Sequence, residues 1–371
     1  MKVLIIAPHY MVGEKNGANS YIDWIYSCLS NHCDLTLISA FHIHTSTEIK
    51  KTKSTNSRTS LSSSLNVLFL KKQYFVERLV PKNFFLNIDD FYGYDIVVFS
   101  FIHTYLAALE AGLDLKKFKK IIILTHNYDA DIYKSWNKEG FFKALIGKIS
   151  LGNYYQSIKK IDKKVILGNI SETDSNLYRN LCSNISVEIP SGAIIKEKFS
   201  PIKADKIKIV FLGSLSTPFN INGLIYFKDK IFSTLKESLD FDFFVIGSNP
   251  TNSVKNICKD NNWKLIANPS DQELENILKG MSFGVLPFNI TQGVKVKIWS
   301  YLSMGLPILA TEIFENYDFP NDIYLAGDNL DDWVIWIQEH FNNLEYRYKA
   351  REFFDNNSKI SSSKVIKEIL I

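Results

Sequence analysis

Cysteine is scarce in this chain. Four residues in 371, Cys28, Cys33, Cys182 and Cys258, make no CxxC pair, and no His/Cys group has zinc spacing. A disulfide framework and a structural zinc are excluded, and the thiols are expected to be free in a reducing compartment. No window of 18 apolar residues occurs, which excludes a membrane-spanning helix. The opening Met1-Lys2-Val3-Leu4-Ile5-Ile6-Ala7-Pro8 has too short an apolar run for a signal peptide. A cytoplasmic protein is expected, at most peripheral on the inner face of the cell membrane. A GxGxxG motif is also missing: Gly13 and Gly17 are spaced differently, which argues against a dinucleotide site. No short-period repeat is present. Net charge is only +4 and no nucleic-acid motif accompanies it, so no nucleic-acid partner is expected.

Apolar and aromatic residues are plentiful. Hydrophobic content is 46%, with 26 Phe and 18 Tyr, enough to fill the cores of the two domains that 371 residues suggest. Charge is uneven. Residues 1–190 hold 23 Lys and Arg against 17 Asp and Glu, and the remainder is slightly acidic. A basic N-terminal half suits an anionic membrane surface or an anionic acceptor.

The most informative stretch is 284–311, GVLPFNITQGVKVKIWSYLSMGLPILAT. It reads as a buried strand ended by Pro287, a polar loop to Gly293, and a helix with Val294, Ile298 and Leu302 on one face. Gly305 then sits where a C-terminal cap belongs, Pro307 blocks continuation, and a strand starts at Ile308. Lys295 and Lys297 fall in the first turn of that helix, where the dipole disfavours cations. With free backbone N–H groups behind a glycine loop, they predict a bound phosphate; the plain alternative is two solvated lysines.

Strand ends add a second group. Ile96–Phe99 and Ile121–Leu124 read as strands, and His103 and His126 follow them, where open α/β sheets bind ligands. His42 and His44 lie at the edge of a polar insertion over 42–66 and read as solvated. Asp129-Ala130-Asp131 admits a metal–nucleotide reading, although a helix start explains both carboxylates. Trp136, Phe141, Phe142, Leu145 and Ile149, flanked by Lys138, Lys143 and Lys148, form a candidate basic amphipathic face for a membrane surface; core packing is the alternative.

Gly305-Leu306-Pro307, Ala310-Thr311 and the loop Gly293-Val294-Lys295-Val296-Lys297 resemble the signature of retaining, nucleotide-sugar-dependent glycosyltransferases of family 4. Leu124-Thr125-His126-Asn127 and Ile189-Pro190-Ser191-Gly192-Ala193 are similar to further family motifs. The resemblance implies an α/β GT-B fold: two Rossmann-like domains with parallel sheets facing a central cleft. It implies an acceptor domain over 1–200, a donor domain over 201–351, and a C-terminal helix at about 352–371 crossing back to the first. It assigns His126, Lys295 and Lys297 to catalysis. To donor binding it assigns Gly17, His103, Gly213, Ser214, Gln292, Gly293, Val294 and Ser300. The chain departs from the family at three points: Gln292 and Ser300 replace two glutamates, and Ser214 replaces an arginine.

These readings predict a cytoplasmic enzyme that needs no cofactor or metal. It would move a sugar from a nucleotide diphosphate donor to a glycan or lipid-linked acceptor in bacterial surface polysaccharide synthesis. The missing glutamates and arginine leave open a non-catalytic GT-B subunit that binds a nucleotide-sugar or glycan; a GT-B epimerase acting on the nucleotide sugar itself is a third class.

Overall fold

A computed structural model describes residues 1–11, 17–45, 49–51, 67, 74–81, 83–126, 129–136, 140–193, 199–289, 295–315 and 319–371. The chain forms two compact units. One comprises Met1–Glu14, Tyr21–Ser191 and Ser361–Ile371, the other Lys15–Ser20 and Gly192–Ile360.

The first unit is built on an eight-stranded sheet. Its strands are β1 (Lys2–Ile6), β2 (Asp34–Ile38), β3 (His42–Thr45), β4 (Ile49–Lys51), β5 (Ile96–Ser100), β6 (Lys120–Leu124), β7 (Val165–Asn169) and β8 (Ser186–Glu188). Their order is β4-β3-β2-β1-β5-β6-β7-β8. The runs KVLII, IVVFS and KIIIL are apolar at nearly every position because both faces of a parallel sheet are covered. Alternation divides them. Leu4, Ile6, Val97, Phe99, Ile121 and Ile123 enter one core, while Val3, Ile5, Ile96, Val98, Ile122 and Leu124 enter the other. The second of these cores also takes Val365 and Ile369 from the end of the helix Leu344–Leu370.

The polar insertion expected over 42–66 is in part a sheet extension. β3 and β4 pair antiparallel beyond β2, and His44 stacks on Tyr26 with ring centroids 4.3 Å apart. Their polar composition hid them, because an edge strand has little apolar surface to bury. Residues 46–48 and 52–66 of the expected insertion lie outside the described residues.

The second unit carries six parallel strands, β9 (Ile207–Leu212), β10 (Phe241–Gly247), β11 (Lys264–Ala267), β12 (Phe283–Leu286), β13 (Ile308–Ala310) and β14 (Tyr324–Ala326). Their order is β11-β10-β9-β12-β13-β14. The helix after β9 starts at Pro218, with proline in its first turn, where its missing N–H costs nothing. The helix Lys295–Ser303 ends as its sequence predicts. Gly305 takes φ +58°, a conformation only glycine adopts freely, and a Cβ there would strike the Phe199 ring and the Arg347 carbonyl.

Each sheet has one place where the strand order reverses. It lies between β1 and β5 in the first unit and between β9 and β12 in the second. The crevice beyond the carboxyl ends of such a strand pair is where open α/β sheets bind ligands.

Candidate active site

In the second unit Gly213, Ser214 and Lys297 stand beside this reversal. Gly213 and Ser214 follow β9. The Ser214 hydroxyl lies 3.2 Å from that of Ser216, and its carbonyl accepts from the Asn220 side-chain amide at 2.8 Å. The backbones pack closely here: a Cβ on Gly247 would fall 1.6 Å from the Gly213 carbonyl oxygen. Phe288, just after β12, stacks on Phe219 at 4.3 Å and 10°. Thr311 Oγ1 donates to the Phe288 carbonyl and pins that segment.

Lys297 lies over both rings, its Nζ 5.4 Å from the Phe219 centroid and 5.2 Å from that of Phe288. Such contacts contribute roughly 0.5–2 kcal/mol and keep the ammonium in place without neutralising it. No hydrogen bond or ion pair reaches Lys297 among the described residues. Burial pushes its pKa down to about 8. Lys297 is half-buried, and among the described residues no counter-ion faces it, a setting that favours an anion over bulk water.

The remaining donor positions divide. Lys295 opens the helix, but its side chain lies outside the described residues, as do Gln292, Gly293 and Val294 entirely. Ser300 is described and turns away: its hydroxyl donates to the Val296 carbonyl at 2.9 Å, within its own helix. Phe219, Phe288 and Asn220 escaped the sequence reading, since an aromatic near a glycine turn gives no signal of its own. Asn220 buries an Oδ1 beside Gly213 that has no hydrogen-bond partner among the described residues.

In the first unit His103 and His126 come together as predicted. His126 takes φ +51° and Phe101 φ +72°, strained values that cluster at functional sites. Phe101 stacks on His126 at 3.8 Å and on His103 at 4.8 Å. Ser100 Oγ lies 2.8 Å from His126 Nε2. His9, unremarked in the sequence, joins them edge-on to Phe101 at 4.8 Å. It follows β1 just as the other two follow β5 and β6, so the same strand-end rule would have found it. Gly17 only opens the helix Gly17–Leu29 and is exposed.

Burial lowers all three imidazoles, His9 to about 4 and the other two well below their ordinary value. Asp129 is buried and its carboxyl is pushed up to about 7, whereas Asp131 is exposed and pairs with Lys134 at 3.0 Å. Both carboxylates start the helix Asp129–Ser135, and among the described residues no group of three or more His, Cys, Asp or Glu is placed to hold a metal ion.

The candidate amphipathic face splits. Trp136 is buried and packs on Tyr74 and Tyr133, while Phe141, Phe142 and Leu145 stand 88%, 52% and 40% exposed on the separate helix Phe141–Ile158. Among the described residues no helix is long and apolar enough to cross a membrane.

Comparison with known proteins agrees with this geometry. Residues 206–335 match the model of the family described as glycosyl transferases group 1. The chain is similar to an uncharacterized 44.6 kDa protein in the cps region of Klebsiella pneumoniae, 27% identical over 299 residues and covering 74% of each chain. Among solved structures it resembles a sucrose-phosphate synthase from Thermosynechococcus elongatus (TM-score 0.67, 12% identity, 99% and 96% of the two chains). It also resembles WaaG, a glycosyltransferase involved in lipopolysaccharide biosynthesis (TM-score 0.62, 12% identity, 99% of each chain). The fold is thus GT-B, and the residues that match the glycosyl transferases group 1 model, 206–335, contain Lys297 and its aromatic seat.

Proposed function

We propose that the chain transfers a sugar from a nucleotide diphosphate sugar to a glycan or lipid-linked glycan in bacterial surface polysaccharide synthesis. The observation that carries this is Lys297, a half-buried ammonium at the strand-order reversal, within the residues that match the glycosyl transferases group 1 model. The relative in a cps region and the fold shared with WaaG support the substrate class. Lys297 and the amino end of its helix would stabilise charge developing on the leaving diphosphate, which is electrostatic catalysis. Lys295 would add a second cation. His126 positions the sugar through its ring N–H. This chemistry needs no metal or cofactor, because the charge a divalent cation would supply comes from lysine and backbone N–H groups, and it proceeds with retention of anomeric configuration.

The protein works in the cytoplasm against the inner face of the membrane. Phe141, Phe142 and Leu145 are exposed with Lys143 and Lys148 beside them, the pairing of apolar and basic groups that an anionic bilayer accepts.

Incubation with UDP-, GDP-, ADP- and CMP-sugars, with and without lipid-linked glycan, tests the proposal. Transfer, or slow donor hydrolysis without acceptor, is expected, and EDTA should leave it intact. Ser300 turned into its own helix favours the non-catalytic subunit as the second reading; nucleotide-sugar binding with no turnover of any donor would establish it.

A further inference from the structure

Three imidazoles stand at the strand-order reversal of the first unit, and among the described residues only His126 has a hydrogen-bond partner. All four ring nitrogens of His9 and His103 are buried without a hydrogen bond among the described residues. Leaving such groups unmet is destabilising, so a structure keeps them where something else completes them. Resting on the glycosyltransferase reading, we propose that His9 and His103, beside His126, form a subsite for uncharged sugar hydroxyls of the acceptor.

The chemistry of the unmet atoms selects the ligand. A neutral imidazole offers one donor and one acceptor, and a hydroxyl is the common group that answers both. A phosphate or carboxylate offers acceptors alone and would require the rings to be charged. Among the described residues, the titratable groups recorded against the cluster are the imidazoles themselves and Tyr21, whose ring is 5.0 Å from His126 and whose hydroxyl donates to the Ile189 carbonyl. No ion pair reaches any of the three imidazoles among the described residues, and each disfavours protonation of its neighbours. The surrounding rings, Phe101 and Phe75, present apolar edges and faces of the kind that the C–H side of a pyranose covers. The positive φ at Phe101 and His126 fixes the ring directions before ligand arrives.

The test is NMR of the full chain labelled with 15N in its imidazoles, near neutral pH. The probes are the methyl glycosides of glucose, galactose and N-acetylglucosamine, with glucuronic acid and inorganic phosphate as anionic counterparts. His9→Gln and His103→Gln assign the signals, and backbone amide spectra verify that each variant is folded. The expected result is that at least one methyl glycoside shifts the ring nitrogens of His9 and His103. The rings stay neutral, high salt has no effect, and each variant weakens binding about tenfold, the loss of one such hydrogen-bonded group. Shifts produced only by phosphate or glucuronate, with protonation of the rings, would overturn the proposal. So would a full set of glycosides that moves neither residue. Donor turnover is read separately. Turnover without any response at His9 and His103 removes this subsite and leaves the transferase reading; glycoside shifts without turnover do the reverse.

Discussion

The acid–base behaviour of single residues gives the most direct consequences. Lys297 must be protonated to hold a diphosphate, and its pKa in the free protein is about 8. Affinity for a nucleoside diphosphate should therefore fall as pH rises through 8, by up to tenfold per unit above it, and titration calorimetry between neutral and alkaline pH would measure this. The imidazole cluster acts on stability. In the unfolded chain histidine titrates near 6.5, while folded His9 titrates at about 4 and His103 and His126 well below 6.5. Below about 6.5 the unfolded chain thus binds more protons, and stability is lost as pH falls. Asp129 opposes this, since its folded carboxyl keeps a proton up to about pH 7 that the unfolded chain releases. Three groups outweigh one, so the urea midpoint should drop between pH 6.5 and 5, and Asp129→Asn should steepen the drop.

Elements were legible in the sequence wherever burial is two-sided. KVLII, IVVFS and KIIIL announce parallel strands because no position in them needs to be polar. The cap at Gly305 was legible because the local backbone demands glycine. Gly305→Ala should cost on the order of 2 kcal/mol or more in urea unfolding, from left-handed backbone strain and the clash with Phe199. Arg347 was not legible. Its guanidinium donates to the carbonyls of Leu278, Lys279, Met304 and Gly305, closing the C-terminal ends of the helices Asp271–Lys279 and Lys295–Ser303. No local pattern announces a contact made across more than forty positions. Burial lowers its pKa to about 10, so it remains charged at neutral pH. Arg347→Met should cost on the order of 3 kcal/mol in the same assay, because several carbonyls lose a charged donor. The aromatic seat of Lys297 was hidden for the same reason. Phe219 and Phe288 meet only through the adjacency of β9 and β12, whereas the lysine itself was visible as a cation in the wrong turn of a helix.

For the whole molecule, the two sheets repeat one logic: a strand-order reversal with functional side chains beyond it, three imidazoles in one unit and a lysine on two phenyl rings in the other. Membrane association belongs to this scale. Vesicles containing anionic lipid should retain the protein at low salt and release it at high salt, and Phe141→Ser with Phe142→Ser should reduce retention severalfold. Diphosphate binding at Lys297 is decided by calorimetric titration of UDP, GDP and ADP into the wild-type protein and into Lys297→Ala at neutral pH. At least one of these nucleotides should bind the wild type, and the substitution should weaken it by about 2 kcal/mol, near thirtyfold. A nucleotide that binds both proteins equally, or none that binds at all, would rule out a diphosphate held by this lysine.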